Sequence, residues 1–164
     1  MNQQTLSGME TPTVRRKTRR EKFLNTMDGI VPWTDWVEQI RPYYPDGIRG
    51  RQPRGIEVML RMYLLQEWFG LSAESTGDAI YDSYSMHAFL YSGSIEGPVP
   101  DASTLLRFRH FLEKHGLEEK FHEELEKLLQ ERGLMLHRGS ITDAGLTARR
   151  GNGKKGRNEA DSTD

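Results

Sequence analysis

The sequence predicts a mainly α-helical protein: a multi-helix bundle with a helix-turn-helix-like unit, then the start of one β-strand and a disordered tail. Three observations predict it. Apolar residues recur at three- and four-residue spacing in successive stretches from Phe23 to Leu129. Capping residues and glycines bracket most of those stretches. After Ala144 strongly apolar residues almost vanish, leaving Leu146 alone in a run rich in glycine, arginine and lysine.

Composition narrows the class. A chain of 164 residues suffices for one domain with a core, plus tails. The formal net charge is −1, so overall basicity does not point to nucleic acid. The distribution does, because both ends are basic and the middle is acidic. The cysteine count of 0 excludes a disulfide framework and a zinc–thiolate site, and fits a reducing compartment. No signal-peptide pattern opens the chain. The most apolar run, Ile56 to Leu71, contains Glu57, Arg61, Gln66 and Glu67 and is too short and too charged to span a bilayer. The expectation is a soluble cytoplasmic protein without a membrane partner.

Residues 1–14 read as a flexible tail. Arg15, Arg16, Lys17, Arg19 and Arg20 then form a dense basic run leading into a helix with Phe23, Leu24 and Met27. The run is either an arm for phosphate backbone or a solvated helix start. Pro32 opens a second helix, in which Trp33, Trp36, Val37 and Ile40 repeat at helical spacing and anchor the core. Pro42 and Pro45 end it. The loop from Asp46 to Gly55 carries Arg51 and Arg54 among glycines. A basic, glycine-rich loop lets guanidinium groups approach phosphates, but this one lacks the spacing of a nucleotide-binding P-loop.

Ile56 to Phe69 is apolar on nearly every side, as suits a central helix, and Gly70 stops it. Ser72 offers a cap for one or two short helices reaching Tyr91. Ser92 to Pro100 is a turn-rich connector. The next helix has both ends written in: Asp101 at the N-cap and Gly116 at the C-terminal end. Leu105, Phe108, Phe111 and Leu112 form its apolar wall. Ser103, Arg107, His110 and Lys114 form the opposite stripe, with Thr104 beside them and no carboxylate. Such a stripe is either a solvated face or a surface for phosphates and base edges. Arg109 lies nearer the apolar side and suits pairing with a buried acid. Leu117 to Arg132 is a further amphipathic helix, with Phe121, Leu125, Leu128 and Leu129 inward. Its glutamates around His122 admit a metal site, although carboxylates at such positions usually face water. Gly139 to Asp143 reads as the beginning of a strand, and residues 145–164 read as a disordered basic tail.

Ordered motifs go beyond periodicity. Gly50-Arg51-Gln52-Pro53, Met59-Leu60-Arg61, Gln66-Glu67-Trp68, Ser85-Met86, Pro100-Asp101 with Thr104 and Phe108-Arg109-His110, then Gly133, Gly139 and Asp143-Ala144, resemble the N-terminal domain of insertion sequence 5 family transposases. The likeness runs from about residue 15 to 144. It implies a DDE transposase, in which two Asp and one Glu on an RNase H-like sheet hold two Mg²⁺ ions for in-line displacement at phosphorus. Of those ligands only Asp143 carries over, as a catalytic and metal residue in an incomplete set. The resemblance divides the chain into a helical DNA-binding domain at 15–138 and a remnant of the first catalytic strand at 139–144. The expectation is a truncated transposase that binds the terminal inverted repeats of its element through DNA contacts at the residues above. Mg²⁺ belongs to the intact family enzyme, and the fragment is expected to bind none and to be inactive in strand transfer alone. The alternatives are a fragment that dimerises with intact transposase and inhibits it, and a nonfunctional gene remnant.

Overall fold

From Met59 to Gln66 every side chain is buried, and this decides the architecture. A helix covered on all sides must sit inside a bundle. In the computed structural model, which describes residues 15–45 and 55–144, it does. The segments expected to be tails, 1–14 and 145–164, and the loop with Arg51 and Arg54 lie outside the described residues.

Seven helices run in chain order: α1 Arg19–Ile30, α2 Trp33–Ile40, α3 Ile56–Phe69, α4 Ala73–Asp82, α5 Tyr84–Leu90, α6 Ala102–Lys114 and α7 Leu117–Glu131. A 3₁₀ turn at Arg41–Tyr43 follows α2. Strands β1, Leu134–His137, and β2, Ser140–Asp143, close the described chain. Side-chain oxygens of Thr18, Ser72, Ser83 and Asp101 cap α1, α4, α5 and α6, each accepting a bond from an N–H three residues on. Pro32 stands at the N-cap of α2, one place before the first helical position expected for it. Among the described residues no helix is long and apolar enough to cross a membrane.

The central helix α3 packs against α2, α4, α5 and α6, while α1 covers α5, α7 and β2. Aromatic rings fill the joins. Trp36 of α2 stacks on Phe121 of α7 with centroids 4.4 Å apart, and Phe23 of α1 meets Trp68 of α3 edge-on at 5.7 Å. Such pairs contribute roughly 0.5–1.5 kcal/mol beyond the area they bury. The helices expected to form a helix-turn-helix-like unit have different neighbours: α6 packs on α3, α4 and α7, whereas α5 packs on α1, α3 and α4. The connector between α5 and α6 is tied down. The Tyr91 hydroxyl donates to the Gly97 carbonyl, His87 meets Glu96 at 2.7 Å, and Val99 and Pro100 are buried.

The strand expected to stand alone has a partner. β1 and β2 pair antiparallel, with Leu134 opposite Asp143 and His137 opposite Ser140. The sequence hid β1 because Leu134-Met135-Leu136 is a continuous apolar run, although its burial alternates. The turn at residues 138–139 falls where the sequence placed a domain boundary. Here glycine is required: Gly139 has φ +67°, and a Cβ there would lie 2.9 Å from the Phe69 ring. That closeness lets the Gly139 N–H donate to the Trp68 carbonyl at 2.8 Å, fastening the hairpin to the end of α3.

Candidate nucleic-acid interface

Helix α6 presents two chemically different sides. Inward, Leu105, Phe108 and Leu112 are almost fully covered. Outward, Ser103, Arg107, His110 and Lys114 are all exposed, as their spacing predicts. Thr104 is half-buried at the edge. It joins Arg107, Tyr44, Pro45, Met59, Phe108 and Phe111 around a hollow of about 310 Å³. The Arg107 guanidinium donates to the Thr104 hydroxyl at 3.3 Å.

Two details correct the expected stripe. It is not free of carboxylates: exposed Glu113 sits one turn from His110, with Oε2 3.5 Å from Nδ1. Residues three apart on a helix are neighbours, and the pattern-based reading had placed Glu113 elsewhere. The Ser103 hydroxyl is also engaged, donating to Asp101 Oδ1 at 3.0 Å within the N-cap. Bonds from Thr104, through its side chain and its backbone N–H, and from Ser103 hold the Asp101 carboxyl down at about 2.

The basic run at the start of α1 lies on another side of the bundle, against the junction of α4 and α5. Arg15, Thr18, Arg19, Arg20, Asp82, Ser83, Tyr84 and Ser85 line a groove of about 460 Å³ there. Arg15 is occupied twice. It donates to both oxygens of Glu21 at 3.0 Å, and its guanidinium lies 4.0 Å from the Tyr84 ring centroid. Arg20 lies over the Phe69 ring at 5.3 Å. Arg16, Lys17 and Arg19 are exposed.

What fixes the rotation of α6 is its back edge. Arg109 reaches Glu67 of α3 at 2.7 Å, Glu118 of α7 at 3.4 Å and Glu113 of its own helix at 3.5 Å. The pairing expected for Arg109 is therefore present, and it ties three helices together. Tyr63 donates to Glu118 at 3.0 Å, and His122 Nε2 stands 3.5 Å from Glu67 Oε2. The hydrogen bond from His122 lowers the Glu67 carboxyl, with help from Arg109 and against burial. The same bond to Glu67 raises His122, again against burial. Burial raises the Tyr63 hydroxyl, and the charges of Glu67 and Glu118 raise it further.

A second polar hub escaped the sequence reading. Arg61 is buried in α3, 3% exposed, where it bonds Asp28 of α1 at 2.9 Å, Glu57 at 2.9 Å and the Phe89 carbonyl at 3.0 Å. Its guanidinium also lies 3.9 Å from the Trp33 ring centroid. The only sequence signal was a charge inside an apolar run.

Asp143 sits exposed at the end of β2. Among the described residues it belongs to no group of three potential ligands. These residues therefore do not compose the magnesium centre that the resemblance implies, and no catalytic step follows from them.

No solved structure matches the chain. A family model, Transposase domain (DUF772), matches residues 12–111, from ahead of α1 through the Phe108-Arg109-His110 stretch of α6. That span holds the buried Arg61 hub, the Arg109 pairing with Glu67 and most of the exposed α6 face. The chain belongs to this transposase domain family.

Proposed function

We propose that this domain binds DNA in transposition, at the terminal inverted repeats of an insertion sequence 5 family element, with α6 turned toward the duplex. One observation carries the reading: Ser103, Arg107, His110 and Lys114 project side by side from a helix whose other faces are locked in the bundle. Arginine suits a guanine edge or a phosphate in two-pronged fashion, and a serine hydroxyl or a lysine ammonium suits backbone oxygens. Arg107 and Lys114 read the groove side, and Arg16, Lys17 and Arg19 supply phosphate contacts from the other surface. Arg15 and Arg20 contribute less, since their guanidinium groups already rest on Tyr84 and Phe69. Arg51 and Arg54, outside the described residues, add phosphate contacts. Strand transfer requires acids beyond Asp143, so residues 15–144 bind without cutting. Mg²⁺ acts in the intact family enzyme.

Gel-shift titration on the element's own end sequence tests this. Arg107→Ala is expected to weaken specific binding by about 1–3 kcal/mol. Lys17→Ala is expected to weaken specific and nonspecific binding alike and to lower the salt slope by about one ion. Unchanged binding by Arg107→Ala at near-physiological salt removes α6 from the interface.

A second reading, a chain that dimerises with intact transposase and poisons it, draws on an apolar groove of about 390 Å³ between α7 and β1. Leu125, Leu129, Leu134 and Leu136 line it beside Met135, which is 44% exposed. Capture of the full-length enzyme by this chain, without retention of DNA, favours that reading over the first.

A further inference from the structure

We propose that Glu67, Glu118 and His122 form a binding site for one divalent transition-metal cation of the zinc type, held between α3 and α7. The site is separate from the α6 face and does not depend on the DNA reading. Each residue offers one ligand atom, and the three atoms lie within 4.8 Å of one another. Glu118 and His122 stand one helical turn apart on α7, so their side chains share a face. Glu67 meets them from α3. Both helices are fixed by buried neighbours, Leu64, Leu65 and Trp68 on one side and Leu117, Phe121 and Leu125 on the other.

The long His122–Glu67 contact leaves room for an ion in its place. His122 Nε2 and Glu67 Oε2 are 3.5 Å apart. A charged hydrogen bond closes to about 2.7–2.9 Å. Two ligand atoms bound tetrahedrally at about 2.1 Å from zinc lie about 3.4 Å from each other. The oxygens of Glu67 also divide the work: Arg109 holds Oε1 at 2.7 Å, and Oε2 faces the imidazole. Arginine thus orients the carboxylate from behind, as an outer partner does in metal centres.

Charge points the same way. Arg109 contacts three carboxylates, Glu67, Glu113 and Glu118, and even with a charged His122 beside Glu67 the group keeps one negative charge in excess. The Glu67 and Glu118 side chains are only 20% and 21% exposed, so solvent screens the excess poorly. A cavity of about 270 Å³ opens beside Glu67 and His122 and leaves room for a water as fourth ligand. Tyr63, His137 and Arg138 complete its polar wall. An imidazole with two carboxylates selects zinc, cobalt or nickel over magnesium.

Calorimetry with Zn²⁺ and absorption spectroscopy with Co²⁺, on the full chain stripped of metal, test the site. One ion per chain is expected, with Co²⁺ giving visible ligand-field bands that Zn²⁺ abolishes. Loss of an outer partner alone costs a metal site about 10–100-fold in affinity. His122→Gln and Glu118→Gln, which each remove a ligand, are expected to lose at least that much. His87→Gln, at a position against Glu96 and away from this cavity, should bind as the parent does. Circular dichroism checks the fold of each variant. If a variant fails to fold, paramagnetic broadening of the His122 ring resonances by Co²⁺ in the parent chain stands in for it. Absence of saturable binding at millimolar metal, undiminished binding by both folded variants, or broadening centred on another histidine overturns the proposal. None of these readouts uses DNA, so failure here leaves the DNA reading standing and the reverse also holds.

Discussion

Arg107 and Arg109 lie two residues apart on α6 and live in different chemistry. Arg107 is exposed, and its guanidinium donates to a threonine of its own helix. Arg109 is 31% exposed and contacts glutamates from three helices. The difference shows how one helix serves two ends. The inner guanidinium spends its hydrogen bonds on holding α6 to α3 and α7, which leaves the outer one available for a partner. Affinity and stability should therefore respond to different residues of the same helix.

The largest expected effect comes from extending the contrast to Arg61, the most enclosed guanidinium of the three. Arg61→Ala removes a guanidinium that is itself 4% exposed and packed on Trp33, and leaves the Asp28 and Glu57 carboxylates without it. It should lower unfolding free energy by about 3–5 kcal/mol, read by urea denaturation. Arg109→Ala should lower it by about 1–3 kcal/mol, because the Arg109 side chain is itself 31% exposed. Arg107→Ala should stay within about 0.5 kcal/mol of the parent while weakening DNA binding. Equal stability losses for Arg107→Ala and Arg109→Ala would erase the contrast.

A smaller effect appears with pH. His122 titrates above its ordinary 6.5 in the folded chain because Glu67 accepts its hydrogen bond. Its stabilising contribution is complete below 6.5 and is lost as pH rises through the elevated value. Glu67 titrates below its ordinary 4.5, so its contribution is complete above 4.5 and is lost as pH falls. The cluster behind Arg109 is thus strongest between those two values. Thermal melts should show stability declining as pH rises above 6.5, and His122→Gln should flatten that decline. On the outer face, the Asp101 cap weakens only as pH drops from 3.8 toward about 2.

What sequence reveals divides along the same line. The bounds of α3 and the ends of α6 were readable because they depend on local signals: apolar spacing, the Asp101 cap and the left-handed Gly116 at φ +67°. The outward direction of Ser103, Arg107, His110 and Lys114 follows from the same periodicity. The Arg61 hub was not readable, because Asp28 and Phe89 reach it from distant parts of the chain. Glu67 joins Glu118 and His122 by the same kind of long-range packing. Strand β1 was missed because a short apolar run suits a helix or a strand equally until its partner is known.

The hairpin carries a consequence for how the molecule breathes. A two-stranded ribbon by itself is barely stable in water. Here Gly139 is fastened to Trp68, and Phe69 lies across the turn. The ribbon amides can exchange with solvent only when the last turn of α3 lets go. Opening of the ribbon is then coupled to the melting of the central helix, and the two form one cooperative unit despite being far apart in the chain.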